Sequence, residues 1–115
     1  MRVDSFEFGK ISINSQLYTH DIIIINNRLI EERRKHLSRA LKSQYRHTPL
    51  TTAENIPWNC KTLVIGTGVN GRLPIAEEVR SRAYEMSVNL ITKPTPDAIK
   101  HINDSDTNLI LHITC

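Results

Sequence analysis

The sequence predicts an α/β domain, and three observations carry that reading. Residues 6–32 are dense in isoleucine and phenylalanine and broken by turn signals. The apolar spacing then switches to a helical period over residues 33–46. From Lys61 onward, short apolar strands alternate with segments that begin at prolines. The 115 residues make one domain, and its core is large enough to bury roughly 65% of the unfolded surface. Hydrophobic residues form 39% of the chain and charged residues 23%. That balance excludes disordered, collagen-like and disulfide-scaffold classes.

Phe6, Phe8, Ile11 and Ile13 mark short extended pieces around Gly9. Asn14-Ser15 is a turn signal, followed by an extended run from Leu17 to Ile25. The run ends in four isoleucines, Ile22 to Ile25, which suit a strand buried on both faces. Asn26-Asn27 turns the chain into Arg28–Glu32, giving a hairpin. Leu37, Ala40, Leu41 and Tyr45 then line one face of a helix, which stops at His47-Thr48-Pro49. Thr51 or Thr52 is placed to cap a short helix with Glu54 in its first turn. Thr62–Ile65 reads as a strand, Gly66–Gly71 as a glycine-rich loop, and Pro74 as the opening of a helix to about Ser87. Asn89–Thr92 is a strand, Pro96 opens a helix through Ile102, Asn103–Asn108 is a polar loop, and Leu109–Thr114 is the last strand.

The net charge of +3 is unevenly spread. Residues 28–47 hold seven Lys and Arg against Glu31 and Glu32, a local +5. Arg33, Arg34, Lys35 and Arg39 form its densest part, a basic patch that attracts anions. Tyr45 is the one aromatic there, so nucleic acid bound through it is held electrostatically and without sequence choice. Cys60 and Cys115 form no CxxC pair and read as free thiols of a reducing compartment. No apolar run approaches the ~18 residues of a membrane span. Asp4 and Glu7 near the start argue against a secretory or mitochondrial leader, so the expected location is cytoplasmic.

Gly66-Thr67-Gly68-Val69-Asn70-Gly71 has G-x-G-x-x-G spacing between a strand and a helix. Such a turn aims backbone amides at an anion, and Arg72 adds a cation. A dinucleotide site also needs an acid about 20 residues on, and the matching stretch Leu90–Pro94 offers Lys93 instead. The loop therefore reads as a structural turn or a weak site for a small anion, without NAD or any other cofactor. His47 ends the basic segment and can turn towards that anion. No metal-ligand spacing joins His20, His36, His47, His101 and His112, and there is no G-x-S-x-G elbow. His112 reads as a hydrogen-bonded sheet histidine, and Asp21, the odd acid before the isoleucines, as a satisfied structural aspartate. No catalytic residue is assigned.

Several pieces together resemble a known family. They are Phe8-Gly9, Tyr18-Thr19-His20-Asp21-Ile22-Ile23, Glu31-Glu32-Arg33-Arg34-Lys35, His47, Leu63-Val64-Ile65-Gly66-Thr67-Gly68-Val69-Asn70-Gly71-Arg72-Leu73, Lys93-Pro94-Thr95-Pro96-Asp97-Ala98 and Leu111-His112-Ile113-Thr114-Cys115. In order and spacing they are similar to the small single-domain family of unknown function that includes the mitochondrial respiratory complex I assembly factor 3 and the adipogenesis-associated domain protein. The resemblance implies a three-layer β+α/β/α fold with a central mixed sheet, an N-terminal β-hairpin layer and an antiparallel last strand. It implies no established catalysis. It also implies a pocket around Gly66, Thr67, Gly68 and Gly71, near His47. The function expected on these grounds is a non-enzymatic binding or assembly module that holds a small anion or a partner protein. The alternative is a small enzyme acting on an anionic metabolite at the same pocket.

Overall fold

A computed structural model describes residues 1–115, the side chain of Ser43 excepted. Two sheets build the molecule. Strands β1 (Val3–Glu7), β2 (Lys10–Ile13) and β3 (Gln16–Tyr18) form an antiparallel sheet in that order. Asn14 and Ser15 both take positive φ, 51° and 66°, in the two-residue turn between β2 and β3. That geometry matches the twist of the flanking strands.

The second sheet has five strands in the order β5-β4-β8-β6-β7. β4 is Ile22–Ile25, β5 Leu29–Glu32, β6 Thr62–Thr67, β7 Asn89–Lys93 and β8 Thr107–His112. β8 is antiparallel to β4 and parallel to β6, so the sheet is mixed. Its side chains alternate between two cores. Ile22, Ile24, Val64, Leu109 and Leu111 pack with Ile11 and Ile13 of the small sheet on one face. Ile23, Leu63, Ile65 and Ile110 pack on the other face against Val79 and Ala83 of helix α2 (Glu77–Glu85). Period-2 alternation thus explains the isoleucine run, because both faces of β4 are covered. The architecture is the α/β fold the sequence predicts.

Five local expectations are corrected. The run from Leu17 to Ile25 is not one strand. It breaks over residues 19–21, where Asp21 leaves the ladder and its carboxylate accepts the Ile113 amide at 2.9 Å. Residues 33–46 do not form one amphipathic helix. Lys35–Leu41 is a 3₁₀ helix followed by the single turn α1 (Lys42–Tyr45). Leu37 and Ala40 are exposed, and the buried residue is Ser38, held by hydrogen bonds to Glu54 and Thr51. Polar anchoring overrides the apolar period there. No capped helix forms at Thr51–Glu54, because the Glu54 side chain is drawn inward to Arg33.

Gly66 lies inside β6 and not in a loop. A Cβ there would stand 2.8 Å from Thr95 Oγ1 and 3.0 Å from Leu111 Cδ2, so only glycine lets α3 (Thr95–Ala98) approach the sheet so closely. α2 starts after Ala76, later than Pro74, whose carbonyl accepts the Leu50 amide at 2.9 Å. No helix is long and apolar enough to cross a membrane among the described residues.

Candidate functional site

The side-chain chemistry converges where β8 ends and the chain leaves β5. Arg33, one residue past β5, has a fully buried guanidinium with side-chain exposure of 1%. It reaches Glu54 through Nε at 2.6 Å and Nη2 at 3.0 Å, Asp21 Oδ2 through Nη1 at 2.8 Å, and the Pro49 carbonyl at 3.1 Å. A planar fork of five donors suits this double recognition, and a lysine would not. Asp21 Oδ2 also accepts from His112 Nδ1 at 2.7 Å. Among the described residues no buried side-chain polar atom lacks a partner. Asp21 is thus the satisfied aspartate the sequence suggests, and His112 the hydrogen-bonded histidine. Arg33 is corrected: two carboxylates hold it inside, so it is not part of a surface patch.

Burial pushes the Asp21 carboxyl up, but His112, the Ile113 amide and Arg33 outweigh it and hold the pKa down at about 2 against 3.8. Burial likewise works against charge on Arg33, while Glu54 and then Asp21 favour it, and the net shift is upward. A carboxyl lowered in the folded state stabilises the fold above its unfolded pKa. That stability is lost as pH falls through the folded value. Asp21 is therefore expected to contribute about 2 kcal/mol above pH ~4, lost progressively towards pH ~2. Denaturant titrations between pH 5 and 2 check this: Asp21→Asn should flatten the acid limb relative to the wild type.

Two adjoining cavities open above this network. One, of about 230 Å³, is lined by His20, Glu32, Lys35, His36, Arg39 and Thr114 together with the tops of Asp21 and Arg33. The other, of about 160 Å³, is lined by Lys35, Lys42, His47, His112, Thr114 and Cys115. Arg33, Lys35 and Thr114 belong to both, so together they form one cleft. Lys35, Arg39 and Lys42 make no ion pair among the described residues. Glu32 is exposed and lies 3.6 Å from His20. The cleft therefore presents Lys35, Arg39 and Lys42 without salt-bridge partners, beside the exposed Glu32 carboxylate. No group of three His, Cys, Asp or Glu able to hold a metal occurs among the described residues.

His47, expected beside the glycine loop, and Lys35 and Arg39, expected in a basic patch, all line this cleft. Arg34 is exposed and lines neither cavity, and so is Arg72. The glycine loop lies behind the floor. Its amides already have acceptors: Gly68 N–H donates to Thr95 Oγ1 at 2.8 Å, and Val69 N–H to Thr114 O at 2.7 Å. The Asn70 and Arg72 amides donate to Cys115 O at 3.3 and 3.0 Å. Thr95 Oγ1 in turn donates to the His112 carbonyl at 2.6 Å. The loop thus clamps the segment after β8 and fixes the cleft's far wall.

The sequence reading missed Thr114, Lys42, Thr95 and the partnership of Glu54 with Arg33. One signal for Thr114 was present: residues i and i+2 of an extended segment share a face, so Thr114 follows His112. Nothing local announces Glu54, which reaches Arg33 across 21 residues.

Residues 3–105 match a protein family of unknown function, DUF498/DUF598. No curated protein matches the chain. Over its full length the chain is similar to a conserved hypothetical protein from Pyrococcus horikoshii OT3, with 25% identity, all of both chains covered and a TM-score of 0.83. It shares its fold with a Xanthomonas campestris protein at 14% identity and TM-score 0.68, covering 97% of this chain and 83% of that one. It also shares it with a protein described as an outer membrane protein from Bartonella henselae, at 20% identity and TM-score 0.65, covering 98% and 94%.

Proposed function

Since the chain belongs to the DUF498/DUF598 family of unknown function, we propose from the geometry of its cleft that it is a binding module for a compact anion. The anion is a phosphate or carboxylate group on a small molecule or on a partner protein. One observation carries the reading: Lys35, Arg39 and Lys42 border a concave site without ion partners. Concavity and excess positive charge together focus the field on an entering anion. The glycine loop acts as a scaffold in this reading, because its amides are already engaged. Membership of the family that includes the mitochondrial respiratory complex I assembly factor 3 and the adipogenesis-associated domain protein, and a cytoplasmic location, belong to the same proposal. The unpaired thiols of Cys60 and Cys115 support a reducing compartment.

Titration with inorganic phosphate and pyrophosphate, followed by amide chemical shifts, tests it. Saturable shifts centred on residues 35–47 and 112–115 are expected. Lys35→Ala and Lys42→Ala should each weaken binding by about two- to fivefold, and raised salt should weaken it further. Arg72→Ala should leave the affinity unchanged. Loss of binding in Arg72→Ala alone would return the site to the glycine loop, and an unresponsive cleft would end the reading.

A further inference from the structure

The cleft wall contains a hydroxyl, an imidazole and a carboxylate in series. Thr114 Oγ1 lies 3.2 Å from His112 Nε2, and His112 Nδ1 lies 2.7 Å from Asp21 Oδ2. The direction of both hydrogen bonds follows from chemistry. Asp21 is held ionised and can only accept, so Nδ1 carries the proton. In the neutral imidazole Nε2 then keeps its lone pair, and the Thr114 hydroxyl donates to it. Asp21 is itself fixed by Arg33 and by the Ile113 amide, so neither the tautomer nor the ring orientation is free. His112 and Thr114 share a face of the extended chain, while Ile113 between them points into the core at 1% exposure. Thr114 also lines both halves of the cleft, beside Lys35.

We propose that Thr114 is a nucleophile and His112 its general base, for acyl transfer from an ester that carries an anionic group. The choice of an anionic ester rests on the cleft reading above, whereas the hydroxyl–imidazole–carboxylate series does not. Thr114 Oγ attacks the ester carbonyl and its proton passes to His112 Nε2. The bond from the carbonyl carbon to the leaving oxygen breaks, and that oxygen takes the proton from Nε2. Water then attacks the Thr114 ester, gives a proton to Nε2, and releases the carboxylic acid as that proton returns to Thr114 Oγ. Asp21 acts as a positioning residue through the imidazolium formed on the way. The ammonium of Lys35 provides positive charge for the developing oxyanion.

The probe is mono(4-nitrophenyl) glutarate, with neutral 4-nitrophenyl butyrate for comparison. A burst of nitrophenolate and an acyl adduct mapped by mass spectrometry to Thr114 are expected, with the anionic ester faster. Thr114→Val should abolish the burst and adduct without changing the melting temperature, and Thr114→Ser should retain both. Asp21→Asn should lower kcat with KM unchanged, an outcome that lost packing alone does not give. An adduct on Cys115 or a lysine, an adduct surviving Thr114→Val, or no adduct at all overturns the proposal. Phosphate binding persisting beside a missing adduct would show that the nucleophile fails while the cleft stands; failure of both would remove both.

Discussion

Arg33→Met is expected to lower the unfolding free energy by about 3–5 kcal/mol, the usual consequence of stranding a buried charge. The side chain is 1% exposed and stands between two carboxylates, Asp21 at 2.8 Å and Glu54 at 2.6 Å. Removing it leaves Glu54 buried with the Ser38 hydroxyl as its remaining side-chain partner. Arg33→Met combined with Glu54→Leu should be less damaging than the sum of the two single changes, by about 1–3 kcal/mol, because the stranded charge goes too. Urea denaturation of the three variants and the wild type measures this cycle. A loss below about 1 kcal/mol for Arg33→Met would mean that water reaches the network.

Gly68→Ala is expected to lose about 3 kcal/mol. Gly68 has φ +105°, which L side chains rarely adopt, and an added Cβ would collide with the Cys115 carbonyl carbon and stand 2.6 Å from its oxygen. Both are backbone atoms, so no side-chain rotation relieves the clash. The segment after β8 must move, and Thr114 and Cys115 move with the cleft wall. Gly71→Ala is the control. Its φ is +68° and the nearest atoms would stand at 3.5 Å, so only the left-handed strain of about 1–2 kcal/mol applies. Thermal melts give the two values, and equal losses would show that the close approach to Cys115 is not what requires glycine at position 68.

Elements whose stabilisation is local were legible in the sequence. The asparagines of the Asn14-Ser15 and Asn26-Asn27 turns carry their own positive-φ preference, and all four residues take φ between 51° and 66°. The Ile22–Ile25 run announces a strand covered on both faces. What was illegible depends on partners distant in sequence. Arg33 looks like one more cation of a basic run until Glu54 and Asp21 are placed around it. The 3₁₀ segment follows Ser38, a polar residue that an apolar count ignores. The G-x-G-x-x-G spacing did mark a segment whose amides grip acceptors, but the acceptors are the chain's own Thr95 hydroxyl and the Thr114 and Cys115 carbonyls.

The strand order β5-β4-β8-β6-β7 also bears on how the protein forms during synthesis. β8 comes last along the chain yet sits in the middle of the sheet, hydrogen-bonded to β4 on one side and β6 on the other. Until residues 107–112 are out of the ribosomal tunnel, β4 and β6 share no neighbouring strand. Their joining waits for β8 to emerge, and until then Ile22–Ile24 and Leu63–Ile65 are surfaces for nascent-chain chaperones to shield. Ribosome stalling before residue 107 would leave the chain in this unjoined state, whereas the β1–β2–β3 meander, complete by Tyr18, needs nothing downstream for its strand pairing.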